Sequence, residues 1–172
     1  MRTLLLSGTI GLWAAACAVL ALPTPAAASS PTCSKATELQ TMLCLVNQAR
    51  GSHALRPVRV SPLLGRSAQL RANAIVRCRQ FSHTPCGQSF GAVFQAVGYT
   101  RGRYSVGENL AWGIGSQASP THTIQRWLAS PAHRRVLFSP RWREFGLSFV
   151  EANSLFAPGA NRLWVAQFGR RS

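Results

Sequence analysis

The sequence contains no aspartate, and its carboxylate side chains belong to four glutamates, Glu38, Glu108, Glu144 and Glu151. A hydrolase that orients its catalytic histidine with an aspartate is therefore excluded. Any acid–base or metal chemistry in this chain must draw on these few glutamates.

Lysine is nearly absent as well, since Lys35 stands against eighteen arginines and the net charge is +15 at pH 7. Such a charge favours anionic partners, whether wall polymers, lipid headgroups or nucleic acid. The arginines are scattered along the sequence, however, and no dense run marks a binding footprint. A solvated shell of arginines explains the composition equally well, and nucleic acid is not the partner we expect.

A long apolar run occurs at the start of the chain, from residue 4 to residue 22, directly after Arg2 and Thr3. Pro23 and small residues follow it, where a membrane-spanning segment would be followed by positive charge. The run therefore predicts a signal peptide at residues 1–28 that is cleaved after Ala28. Loss of Arg2 with this peptide lowers the net charge by one, to +14.

The signal peptide places the mature chain outside the cell or in the cell envelope, with no transmembrane segment of its own. Its length predicts a short lead at residues 29–36 and a single domain at residues 37–172. We expect a monomer. An alternative is a lipoprotein in which Cys17 becomes the acylated first residue.

Four cysteines remain after cleavage, and an even number in an exported chain predicts disulfides rather than thiols or zinc ligands. Three connectivities are possible, and four free thiols are a further alternative. We favour Cys33 with Cys44 and Cys78 with Cys86, because each pair closes a short local loop.

Helical spacing of apolar residues and Ser-Pro start signals predict five helices, and alternating segments predict strands. Three of the helices cover residues 37–50, 62–79 and 89–97, and the other two begin at residues 119–120 and 130–131. The extended segments cover residues 104–112, 145–149 and 163–168. The last two segments are expected to pair antiparallel. The predicted fold class is α+β, with helices on both faces of a small antiparallel sheet.

Three polar residues that could do chemistry lie in distinctive local settings. They are His83 in FSH, Glu108 in GENLA and His133 in SPAHR. The other two histidines, His53 and His122, lie in a loop and in a first helical turn without such a setting.

These motifs, in this order, resemble the bacterial branch of the CAP superfamily, the cysteine-rich secretory, antigen 5 and pathogenesis-related proteins. The resemblance rests on LVNQAR at 45–50, FSH at 81–83, GENLA at 107–111, SPAHR at 130–134 and WVAQFG at 164–169. It implies an α-β-α sandwich with a cleft that binds a divalent metal in several members, and His83, Glu108 and His133 match cleft positions. Eukaryotic members usually carry a second acidic residue shortly after the tryptophan of the fourth helix, where this chain has Ser130 or a neighbour instead.

The chemistry of the three residues allows two interpretations. Two imidazoles and one carboxylate can hold Zn²⁺ with an open position for water, the arrangement of hydrolytic zinc sites. The position of His133 in a first helical turn favours its neutral, ligand-competent form. The same three residues can instead form a hydrogen-bonded structural cluster, because a buried glutamate without partners would be unstable. Ser82, next to His83, is expected to fix its loop rather than act as a nucleophile.

Our leading functional hypothesis is a secreted binding module whose cleft takes an extracellular ligand such as a lipid, a sterol or a cell-envelope polymer. One alternative is a metal-dependent hydrolase that uses His83, Glu108 and His133 with a metal such as zinc. Another is a nonspecific polyanion binder, whose affinity should fall steeply with salt.

Overall fold

The computed structural model describes residues 33–34 and 37–172. The predicted signal peptide, its cleavage site and Cys17 lie outside the described residues. Within them, five α-helices and four strands follow one another as α1 (Glu38–Gly51), β1 (Arg59–Val60), α2 (Pro62–Cys78), α3 (Ala92–Ala96), β2 (Tyr104–Ile114), α4 (Pro120–Ala129), α5 (Pro131–Leu137), β3 (Glu144–Asn153) and β4 (Ala160–Arg171).

The four strands form one sheet in the order β1-β3-β4-β2. Strand β4 pairs antiparallel with both β3 and β2, and β1 pairs parallel with β3. The α+β prediction is confirmed, with three refinements: the antiparallel strands are longer than predicted, α3 is shorter, and β1 has no counterpart in the prediction. Strand β1 is two residues long, too short to show an alternating pattern.

Helices cover both faces of the sheet, so the strands are buried on both sides. Leu110 of β2 packs with Ala68 and Ile75 of α2. The next residue, Ala111, packs in a second cluster that includes Trp127 of α4. Because side chains alternate along a strand, Glu108 falls on the α2 face and Asn109 on the opposite face. No helix in the described part of the chain is long and apolar enough to cross a membrane.

Helix α2 lies unusually close to the sheet, and Gly146 of β3 allows this. A Cβ at position 146 would lie 2.1 Å from the carbonyl carbon of Leu64 and 2.4 Å from the backbone nitrogen of Gly65. No real Cβ fits at such distances, so a larger residue would push α2 away from the sheet. The close approach brings the buried face of α2 against the residues that surround Glu108.

Both favoured disulfides are present in the structure. The bond between Cys33 and Cys44 ties the residues before α1 to that helix. The bond between Cys78 and Cys86 joins the end of α2 to the loop that follows it. This second loop carries His83, so the disulfide limits the movement of a candidate site residue.

Candidate functional site

Glu108 lies at the centre of a buried polar cluster, and both of its carboxylate oxygens have partners. The Nε–H of Arg71 donates to Oε2 at 3.2 Å, and Nε2 of Gln167 donates to the same oxygen at 2.8 Å. The Nδ1 atom of His83 lies 2.8 Å from Oε1. The side chains of Arg71 and Glu108 are fully buried, so water does not screen this ion pair.

Arg71 is the partner that the sequence analysis missed. It lies on α2, where its Nη2 also donates to the backbone carbonyl of Phe90 at 2.6 Å and its guanidinium carbon lies 5.7 Å from the centre of the Phe90 ring. One signal was available: Arg71 falls between Ala68 and Ala72 on the apolar stripe of the helix. An arginine on a buried face requires a carboxylate or carbonyl partner, and few carboxylates exist in this chain.

His83 is the exposed member of the cluster. Its side chain is 50% exposed while one ring nitrogen faces Glu108, so the imidazole connects the buried carboxylate with the surface. The neighbouring Ser82 hydroxyl accepts a hydrogen bond from the backbone N–H of Thr84 at 3.0 Å. Ser82 therefore stabilises the loop, as predicted.

His133 approaches from the other side of β2, at the start of α5. Its backbone carbonyl accepts a hydrogen bond from Nδ2 of Asn109 at 3.1 Å. Burial lowers the pKa of His133, and the positive charges of His83 and Arg126 lower it further. The direction agrees with the sequence-based expectation, but burial is the largest cause. The Nδ1 atom of His133 is buried and has no hydrogen-bond partner within the described part of the chain.

The arrangement does not fit a three-ligand zinc site. Across residues 33–34 and 37–172, no three histidine, cysteine, aspartate or glutamate side chains come together as a metal-ligand group. Glu108 already accepts from Arg71 and Gln167, and a cation at Oε2 would face the guanidinium charge of Arg71. The histidines could still serve as ligands, but their carboxylate partner is occupied.

A pocket of about 760 Å³ lies between the end of β2 and helix α4. Its walls combine apolar and polar side chains, contributed mainly by Trp112, Ile114, Gln117, His122, Arg126 and Ala129. Arg126 is held in place because its Nη1 donates to the carbonyl of Trp112 at 2.7 Å. The charge of the same arginine is the smallest of the three causes that lower the pKa of His133.

The four tryptophans of the described residues divide between the core and the pocket wall. Trp127, Trp142 and Trp164 are buried, and their indole N–H groups donate to backbone carbonyls. Trp112 is only partly buried and lines the pocket. The pocket therefore has an aromatic wall that ligands can reach.

Residues 43–168 match the model of CAP, the cysteine-rich secretory protein family. The Bacillus subtilis (strain 168) protein YkwD is 26% identical to this chain over 125 residues, which make up 72% of this chain and 44% of YkwD. The chain thus spans less than half the length of this relative.

Two solved structures share the fold. An outer surface protein from Borrelia burgdorferi aligns with a TM-score of 0.66 and 18% identity over 78% of this chain and 93% of its own. An extracellular protein containing an SCP domain from Bacillus anthracis str. Ames aligns with a TM-score of 0.64 and 20% identity, over 77% of this chain and 40% of its own. With a family match over well more than half its length, the chain belongs to the CAP family of cysteine-rich secretory proteins.

Proposed function

We propose that this CAP domain is a binding module that acts outside the cytoplasm and takes an amphipathic ligand, such as a lipid, a sterol or a cell-envelope component, in the pocket between β2 and α4. The observation that carries the proposal is the pocket itself. Its volume of about 760 Å³ lies within the range of small-molecule sites, roughly 300–1,000 Å³. Trp112 and Ile114 offer apolar contact, and Arg126 and His122 offer polar contact.

The partners of the Glu108 carboxylate favour a binding function over hydrolysis. A hydrolytic site needs a carboxylate or imidazole that is free to hold a metal or to take a proton from water. Glu108 is instead paired with Arg71, Gln167 and His83, so its role is to position His83 at the surface. In this proposal Glu108 organises the residues around it and takes no part in chemistry.

The metal-dependent hydrolase remains a second candidate because one observation favours it. The lowered pKa of His133 keeps its imidazole neutral and able to bind a metal. The occupied carboxylate of Glu108 argues against it. If hydrolysis of a candidate substrate survives in the double variant His83→Ala/His133→Ala, the hydrolase hypothesis is wrong.

A pocket-filling variant tests the binding proposal directly. Ala129 lines the pocket at the end of α4, and Ala129→Trp would occupy part of the volume. The matched control is Ala96→Trp, an exposed alanine at the end of α3. The probes are a fluorescent fatty acid, cis-parinaric acid, and a fluorescent sterol, dehydroergosterol, each titrated into the mature protein.

We expect at least one probe to bind. Ala129→Trp should weaken the affinity for that probe by about tenfold, equivalent to about 1.4 kcal/mol, and Ala96→Trp should leave the affinity unchanged. Binding that is equal in all three proteins would place the ligand elsewhere and contradict the proposal. Failure of both probes to bind would rule out lipids and sterols of this kind as ligands.

A further inference from the structure

Seven arginines that are scattered in the sequence meet at one end of the sheet. We name this surface the arginine end, and its members are Arg56, Arg59, Arg103, Arg141, Arg143, Arg170 and Arg171. The register explains the convergence: Arg59 of β1 pairs with Glu144 at the start of β3, and Arg171 of β4 pairs with Tyr104 at the start of β2. At this end of the sheet, each of the four strands therefore has an arginine within the strand or directly next to it.

Two grooves hold these side chains. The larger, of about 600 Å³, is lined by arginines 56, 59, 143 and 171 together with Pro57, Val60, Ser61, Pro62 and Glu144. The smaller, of about 240 Å³, is lined by arginines 103, 141 and 170 with Tyr104, Ser105 and Ser172. Arg170 and Arg171 are neighbours in β4, so their side chains leave opposite faces of the strand, and the two grooves lie on opposite sides of the sheet end.

Little negative charge offsets the arginine end. Glu144 is the one acidic side chain that lines either groove, and it lies 3.4 Å from Arg171. In the part of the chain that the structure describes, the arginines that form ion pairs are Arg71, Arg162 and Arg171. The other six members of the arginine end therefore have no carboxylate partner there, and their mutual repulsion favours an anionic ligand.

Some of these guanidinium groups are already held in position. The Nη1 atom of Arg143 donates to the carbonyls of Pro140 and Trp142, both at 2.8 Å. The guanidinium carbon of Arg171 lies 4.9 Å from the centre of the Tyr99 ring. A pre-positioned guanidinium group loses less conformational entropy when it binds, and its planar fork matches the oxygens of phosphate.

We propose that the arginine end binds a linear polymer that carries a phosphate in each repeat and that passes around the end of the sheet from one groove to the other. The concave shape favours a single chain over a flat membrane surface. Among the described residues, Tyr104 is the one aromatic side chain lining the grooves, so this part of the chain does not supply the stacking platforms that bind single-stranded nucleic acid. This proposal uses neither the pocket between β2 and α4 nor the histidines, and it stands independently of the proposed ligand site.

The test measures binding of long-chain inorganic polyphosphate to the mature protein over a range of salt concentrations. The test variant is Arg59→Gln/Arg170→Gln, which removes one arginine from each groove. The control is Arg77→Gln/Arg79→Gln, which removes two exposed arginines at the C-terminal end of α2. Both variants lose two charges, so the loss of overall attraction is the same. Phosphatidylglycerol vesicles and duplex DNA serve as comparison ligands.

We expect the test variant to bind polyphosphate about tenfold more weakly than the control at low salt. The slope of log affinity against log salt should become shallower by roughly 1.4 in the test variant, because about 0.7 counterions are released per phosphate contact on a flexible chain. Equal weakening in both variants would indicate general attraction and overturn the proposal. It would also be wrong if polyphosphate fails to bind, or if vesicles or duplex DNA depend on Arg59 and Arg170 more strongly than polyphosphate does.

Discussion

The buried arginines and the arginine end contrast within one small domain. Arg50 and Arg71 are fully buried and both donate hydrogen bonds to fixed partners, although Nη1 of Arg71 has no partner among the described residues. Arg50 donates to the carbonyls of Arg56, Leu137 and Ser139, and Arg71 donates to Glu108 and to the carbonyl of Phe90. The arginines of the sheet end are mostly exposed, although Arg143 and Arg171 also have fixed contacts.

The difference in burial shows that this chain uses arginine in two ways, as a structural link in the interior and as an available charge at the surface. A buried guanidinium group must satisfy its donors inside the protein, so it links segments that are distant in sequence. Burial lowers the pKa of Arg50, because the protein interior disfavours its charge, and the charge of Arg143 lowers it further. An exposed guanidinium group remains hydrated and contributes to stability only slightly, so its charge is available for a partner.

The largest effect is expected from Arg71→Met, which leaves the carboxylate of Glu108 buried without its cation. We expect a loss of about 3–5 kcal/mol in the free energy of unfolding, measured by urea denaturation. Arg59→Met, at the arginine end, should change this free energy by no more than about 0.5 kcal/mol. The double variant Arg71→Met/Glu108→Gln should recover part of the loss. If both single variants lose a similar free energy of unfolding, the proposed difference between the buried and the exposed arginines is wrong.

A smaller effect is expected from Cys78→Ser/Cys86→Ser. Opening this short loop should lower the free energy of unfolding by about 2–3 kcal/mol, because the unfolded chain gains conformational freedom. The same change should free the loop that carries His83 while leaving polyphosphate binding unchanged, since the arginine end lies on other segments. Loss of polyphosphate binding in the folded variant, measured at a temperature where it remains native, would show that the two regions are not independent.

The smallest effect concerns pH and His133. Its pKa is lowered in the folded state, so the unfolded state binds more protons and stability rises with pH. This contribution is present above the unfolded value of about 6.5 and is lost as the pH falls through the lower folded value. His133→Gln should therefore lose less stability than the wild type between pH 7.5 and pH 5, as measured by thermal or urea unfolding. An unchanged pH dependence in the variant would contradict a perturbed His133.

Much of the fold was predictable because its signals are local. Ser-Pro pairs begin α2, α4 and α5, the spacing of cysteines indicated both disulfides, and GENLA marked the strand that carries Glu108. The pairing of His83 with Glu108 agrees with the predicted convergence, whereas His133 contacts Asn109 rather than Glu108.

The rest depends on contacts that no local pattern encodes. The bond between Arg71 and Glu108 joins residues 37 positions apart and requires the close approach of α2 at Gly146. The arginine end depends on strand register and on β1, which no periodicity could reveal. For that reason the arginines looked scattered in the sequence, although the fold assembles seven of them.

The central claim is that Glu108 is an organising residue whose carboxylate is already occupied by Arg71, and zinc titration tests it most directly. Calorimetry should be carried out on the mature protein, purified without a metal-affinity tag and checked by elemental analysis, alongside His83→Ala. The account predicts no stoichiometric zinc in the purified protein and no saturable zinc binding that depends on His83. One zinc per chain in the wild type, lost in His83→Ala, would contradict the account and favour the metal-dependent hydrolase.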